Sequence, residues 1–78
     1  MISKEKNLTL REKLAKLEHD QWEAWSKDIA ETENINPERL KRWKTLWGPY
    51  ESLSEKDKDK DREWADKVLK CLLDLAQL

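Results

Sequence analysis

Trp43-Lys44-Thr45-Leu46-Trp47-Gly48-Pro49-Tyr50, then Leu53-Ser54, then nine charged residues without a break (55–63) and Trp64: this stretch decides the fold. Gly48-Pro49 stops a helix, because proline cannot continue one and biases the residue before it away from helical backbone. Ser54, with Asp57 three positions on, starts another, since a serine hydroxyl can take an orphan amide of the first turn. The stretch therefore reads helix, tight step, helix.

Working backward, Asn36-Pro37-Glu38 marks where the first of these two helices begins. Asparagine caps, proline suits the first helical position, and glutamate faces the positive end of the helix dipole. The helix, 37–47, carries Leu40, Trp43, Leu46 and Trp47. It is too short to persist alone in water and must be held by packing. Before it, Thr9-x-x-Glu12 reads as a capping box for a helix over 10–31, with Leu10, Leu14, Leu17, Gln21, Trp22, Trp25 and Ile29 on one broad face. Glu12-Lys16 and Glu23-Lys27 support its outer surface.

Working forward, the nine charged positions, four positive and five negative, predict a solvated start to the last helix. Beyond them Trp64, Val68, Cys71, Leu72 and Leu75 form an apolar stripe, widened by Ala65, Leu69, Leu73 and Ala76. Residues 1–9 read as an N-terminal extension and 10–78 as one domain. The predicted class is all-α, a three-helix bundle with a short middle helix. The stripe is wider than one short neighbour covers. Either the first helix runs alongside it, or a second copy does, giving a homodimer through the last helix.

Bulk properties narrow the function. The 78 residues carry a formal net charge of −1, which argues against nucleic-acid binding by bulk electrostatics. The one cysteine, Cys71, excludes an internal disulfide, and a cytoplasmic setting is the simplest expectation. No apolar run approaches a membrane span, and the first residues lack the apolar centre of a signal peptide. No metal or cofactor is expected. His19 has neither a second histidine nor a nearby cysteine to share a metal with. It also lacks the nucleophile that acid–base chemistry would need, so no enzyme is predicted.

Five tryptophans and no phenylalanine are the distinctive composition. A domain this small encloses only some of those rings, and an exposed indole can stack on a planar ligand or anchor a protein partner. Trp43 and Trp64 lie on the most apolar stripes and are expected in the core. Trp22, Trp25 and Trp47 are the candidates for contact with a ligand or partner. Of Trp22 and Trp25, three positions apart, one should be the more exposed. His19, one turn before Trp22, is a candidate either for bonding a backbone carbonyl or carboxylate, or for contacting a ligand. Arg39 and Arg42, with Lys41 and Lys44, make the middle helix locally basic. That charge either solubilises its outer face or holds an anion. Arg62 either pairs with a carboxylate of the first helix and locks the bundle or holds an anion beside Tyr50. Cys71 is expected to be buried and inert.

Three elements, Glu18-His19-x-x-Trp22, Pro49-Tyr50-x-x-Leu53 and Lys60-Asp61-Arg62 followed by Ala65 and Val68, together resemble the RyR domain. This is a small helical repeat of ryanodine receptors that also occurs in bacterial and phage proteins. The likeness spans residues 14–69. Arg42-Trp43 before the Pro-Tyr step, and Trp25 after Trp22, are similar to the phage versions. The chain departs from the cellular pattern by lacking a Gly-Trp-x-Tyr-Gly stretch, and by having Trp47-Gly48 where that pattern has aliphatic residues.

The resemblance implies a regulatory or sensing module for nucleotide-derived ligands in conflict systems. For a phage-type copy it implies sequestering of a defence signal in the host cytoplasm. The leading expectation is a non-enzymatic module for a small, nucleotide-like ligand, bound through His19, Trp22, Trp25, Trp47, Tyr50, Arg39, Arg42 and Arg62. The alternative is a protein-interaction module, such as a phage inhibitor or adaptor. Indoles around a concave pocket would favour the first, and indoles on a convex ridge the second.

Overall fold

The computed structural model describes residues 9–77. Three α-helices, α1 (Leu10–Thr32), α2 (Pro37–Leu46) and α3 (Glu55–Ala76), follow in order, with one turn of 3₁₀-helix, Tyr50–Ser52, between the last two. No strand occurs among the described residues. The proposed extension at 1–9 lies, apart from Thr9, outside them. Among the described residues no helix is long and apolar enough to cross a membrane.

The caps follow the sequence. Thr9 Oγ1 accepts from the Glu12 amide at 3.2 Å, Asn36 Oδ1 from the Glu38 amide at 2.9 Å, and Ser54 Oγ from the Asp57 amide at 3.2 Å. One expectation changes: the Glu12 carboxylate does not reach back to complete a capping box. It turns across the bundle to Arg62 and Tyr50.

α2 ends at Leu46, with Trp47 already extended, and Gly48 takes φ +129°. That backbone favours glycine, because a Cβ there strains the chain. A Cβ built at Gly48 would meet only Ser52 Oγ, at 3.8 Å, so space is not the constraint. Gly48→Ala is expected to destabilise by about 1–2 kcal/mol through backbone strain alone, read as a lowered urea midpoint at unchanged m-value.

α1 is the element against which the others lean. α3 runs antiparallel beside it, with Arg11 against Asp66 at one end and His19 against Asp61 further along. Ala15 and Ala65, both essentially inaccessible, let the two backbones approach closely. Tyr50 completes the buried apolar cluster, with Leu14 and Leu53 packed on it. α2 and α3 both rest on α1 and hardly on each other. The space left between them is a cleft.

Three expectations are corrected. Trp64 is not core but 53% exposed, because it faces the edge of that cleft rather than α1. Cys71 is exposed, not buried, because it lies about 120° around α3 from Ala65, the position that meets α1. The charged run is not wholly solvated. Asp57, Lys58, Asp61 and Arg62, at the spacing of one helical face, are turned partly inward.

Candidate functional site

The cleft holds about 380 Å³ and takes its lining from every helix. α1 contributes Glu18, His19 and Trp22 as its floor. α2 contributes Arg42, Trp43 and Leu46, and the opposite wall is Leu53, Asp57, Lys60, Asp61 and Trp64. The volume lies within the range of small-molecule sites, roughly 300–1,000 Å³.

The aromatic wall is fixed by ring contacts. Trp43 meets Trp22 edge-on at 6.1 Å between centroids and Trp25 at 5.9 Å. The Arg39 guanidinium covers Trp43 at 5.2 Å. Across the cleft Trp64 carries the Lys67 ammonium 4.0 Å from its ring centre. Edge-to-face rings and cation cover hold such side chains in place while leaving another ring face open to a ligand.

His19 fixes the floor. The ring is buried, its Nε2–H donating to the Gly48 carbonyl at 2.8 Å while Nδ1 faces Asp61 Oδ2 at 3.5 Å. With Nε2 the donor, the Nδ1–Asp61 contact is attractive when one proton lies between the two groups. Burial raises the Asp61 carboxyl above the usual carboxylate range, against the pull of the imidazole. Glu23 holds the other end of this joint, accepting the Gly48 amide at 2.6 Å. Burial opposes its ionisation, but the Gly48 amide and the Lys27 ammonium outweigh that and hold it below the usual range. Gly48 is thus pinned to α1 by both of its backbone polar groups, which sets the angle at which the chain leaves α2.

Beneath α3 lies a second polar joint. Glu12 takes two parallel bonds from Arg62, Nε to Oε2 at 2.8 Å and Nη2 to Oε1 at 2.7 Å. Arg62 Nη1 donates to Asp59 at 2.9 Å and Glu55 at 3.1 Å, and the Tyr50 hydroxyl donates to Glu12 at 3.2 Å. The Arg62 bonds hold Glu12 well below the usual carboxylate range. Burial, with Glu12 beside it, pushes the Tyr50 phenol up to about 12.

Of the eight residues singled out from the sequence, the cleft gathers His19, Trp22 and Arg42. Tyr50 is buried with its hydroxyl committed to Glu12, and Arg62 is committed to three carboxylates. Arg62 thus makes the bundle-locking pair with Glu12. Trp47 is half-buried, its indole N–H donating to Ser26 Oγ at 2.9 Å, and it borders a separate hollow with Lys27, Leu40 and Lys44. Trp25 is the more exposed of the Trp22–Trp25 pair and sits behind Trp43 rather than in the cleft, as does Arg39. None of the five tryptophans is fully enclosed.

Sequence reasoning missed Trp43 and Trp64 as site residues by assigning both to the core. It missed Asp57, Lys60 and Asp61 as lining by reading the charged run as solvent-facing. The signal available was their i, i+3, i+4 spacing with Trp64, which puts all four on one face of α3. Among the described residues no group of three side chains has the make-up of a metal site. No family model matches the chain, and neither the curated proteins nor the solved structures give a match.

Proposed function

We propose that this chain is a non-enzymatic binding module, RyR-like in type, whose cleft takes a small planar ligand of the nucleotide-derived class. The observation that carries the reading is the convergence of Trp22, Trp43 and Trp64 on one concave site that also holds Arg42 and Lys60. An aromatic base stacks on the indoles, a contact worth roughly 1–3 kcal/mol per base. Arg42 and Lys60 meet the phosphate, Arg42 by a bidentate fork and Lys60 as a point charge. Glu18, Asp57 and Asp61 supply acceptors for the N–H groups of a base edge.

The residues of the RyR likeness support the same place. Glu18, His19, Trp22, Leu53, Lys60 and Asp61 all border the cleft, while Tyr50 and Arg62 brace the helices behind it. His19 has both ring nitrogens engaged within the fold, which suits a structural floor better than a proton-transfer role. In a phage setting such a module sequesters or senses a defence signal in the host cytoplasm.

Titration of intrinsic tryptophan fluorescence with a panel of linear and cyclic nucleotides, followed by native mass spectrometry, tests this reading. Saturable quenching and one added ligand mass per cleft are expected. A folded protein that ignores the whole panel returns the function to the protein-partner alternative, the inhibitor or adaptor.

A further inference from the structure

At about 100° per residue, Trp64, Val68, Cys71, Leu72 and Leu75 fall within one stripe about 100° wide on α3. The stripe is open: Trp64 is 53% exposed, Val68 41%, Leu72 52% and Leu75 65%, and Cys71 is exposed with them. α1 packs on a neighbouring edge, where Ala65 is buried and Leu69 half-buried, and every residue of α3 from Lys70 on is exposed. Among the described residues nothing lies opposite the last two turns. Among the described residues the buried apolar ones are Ala15, Tyr50 and Ala65, a small core. Monomeric soluble proteins rarely display a contiguous apolar surface of this kind.

We propose that a second copy of this chain covers the stripe, the two α3 helices packing antiparallel about a two-fold axis level with residues 69–70. The charge pattern selects the occupant. Lys67, over its own Trp64, and Asp74, whose contact with Lys70 at 3.2 Å is exposed, lie seven positions apart on the same edge of the stripe. A two-fold axis sets each edge against its own inverse. Lys67 therefore meets Asp74 of the partner subunit, and Asp74 meets Lys67 of the partner subunit. A parallel pairing offers no such complement, because it sets the charged edge against the apolar edge that carries Leu72.

In the antiparallel register Val68 packs on Cys71 of the partner subunit, and Trp64 on Leu75 of the partner subunit. Trp64 also borders the cleft, so each copy supports the outer wall of the other's site. The contact runs about 17 Å along α3. That places it at the small end of specific interfaces, which reach roughly 800 Å² per partner, so association in the micromolar range is expected.

Sedimentation equilibrium of the full chain between roughly 1 and 500 μM is the test, without ligand, so that the outcome is independent of the nucleotide reading. The mass is expected to rise from one chain to two. Val68→Asp and Leu72→Asp, at sites already exposed in the single chain, should each weaken association about 100-fold at an unchanged circular-dichroism spectrum. Lys67→Asp and Asp74→Lys should each weaken it, and the double exchange should restore it. A chain that stays single across the range overturns the proposal, whatever else covers the face. So does a dimer indifferent to Leu72→Asp, and failure of the double exchange to restore association overturns the antiparallel register.

Discussion

Arg62→Ala is expected to lower the unfolding free energy by about 3 kcal/mol, most of what a single substitution in so small a domain can cost. Arg62 is the meeting point of α3, α1 and the Tyr50 turn, with its side chain 14% exposed and Glu12, its main partner, 24% exposed. Removing the guanidinium leaves that half-buried carboxylate with the Tyr50 phenol and only the more distant charge of Arg11. In a domain of this size the loss should lower Tm by roughly 12–24 °C. The Arg11–Asp66 pair is the control. Both side chains are about half exposed, and Arg11→Ala should change stability by about 0.5 kcal/mol or less. Were Arg62 instead the cation for a ligand, its loss would abolish binding and leave Tm alone.

The same joint contributes to both ends of the pH profile. Glu12 titrates below its ordinary value of 4.5, so its contribution is complete above that value and fades as pH falls through the lowered native one. Tyr50 titrates above its ordinary value of 10.0, at about 12, so its contribution is complete below 10.0 and fades as pH rises towards about 12. Chemical denaturation across pH should therefore lose stability at both ends, the acid limb being shared with Glu23, which is also held low. Arg62→Ala should flatten the acid limb, because Glu12 loses the bonds that depress it.

Trp43→Ala is expected to weaken nucleotide binding by about 10–100-fold, the loss of one stacking face, while the helices persist. Trp43 is half-buried and touches Trp22, Trp25 and Arg39, so some stability is lost with it, about 1–2 kcal/mol, and circular dichroism must accompany the titration. Trp47→Phe provides the contrast. It deletes the bond to Ser26, on the far side of α2 from the cleft, and should cost stability without touching affinity.

The helices were legible because their ends carry local chemistry: Thr9, Asn36 and Ser54 cap as their side chains dictate, and Gly48-Pro49 breaks the chain where expected. Which face of each helix is buried was less legible. Trp64 and Cys71 sit on the most apolar stripe of α3, yet the stripe that meets α1 is the one with Ala65, because small residues permit close approach and large ones do not. Periodicity identifies an apolar face without saying whether its partner belongs to the same chain. The joints at Glu12–Arg62 and His19–Gly48 span 50 and 29 positions, a separation at which spacing carries no information. The cleft inherits that difficulty. Its α1 floor was readable from Glu18, His19 and Trp22, but its α3 wall hid inside an unbroken run of charge.

The central claim is that Trp22, Trp43 and Trp64 enclose one ligand site, and the five indole N–H signals in a ¹⁵N–¹H correlation spectrum test it directly. On titration with a nucleotide that quenches fluorescence, the signals of Trp22, Trp43 and Trp64 should move together along one saturation curve. The Trp47 signal, held by Ser26, should stay in place. Shifts centred on Trp47 or Trp25, with Trp22 and Trp64 unmoved, would contradict the account.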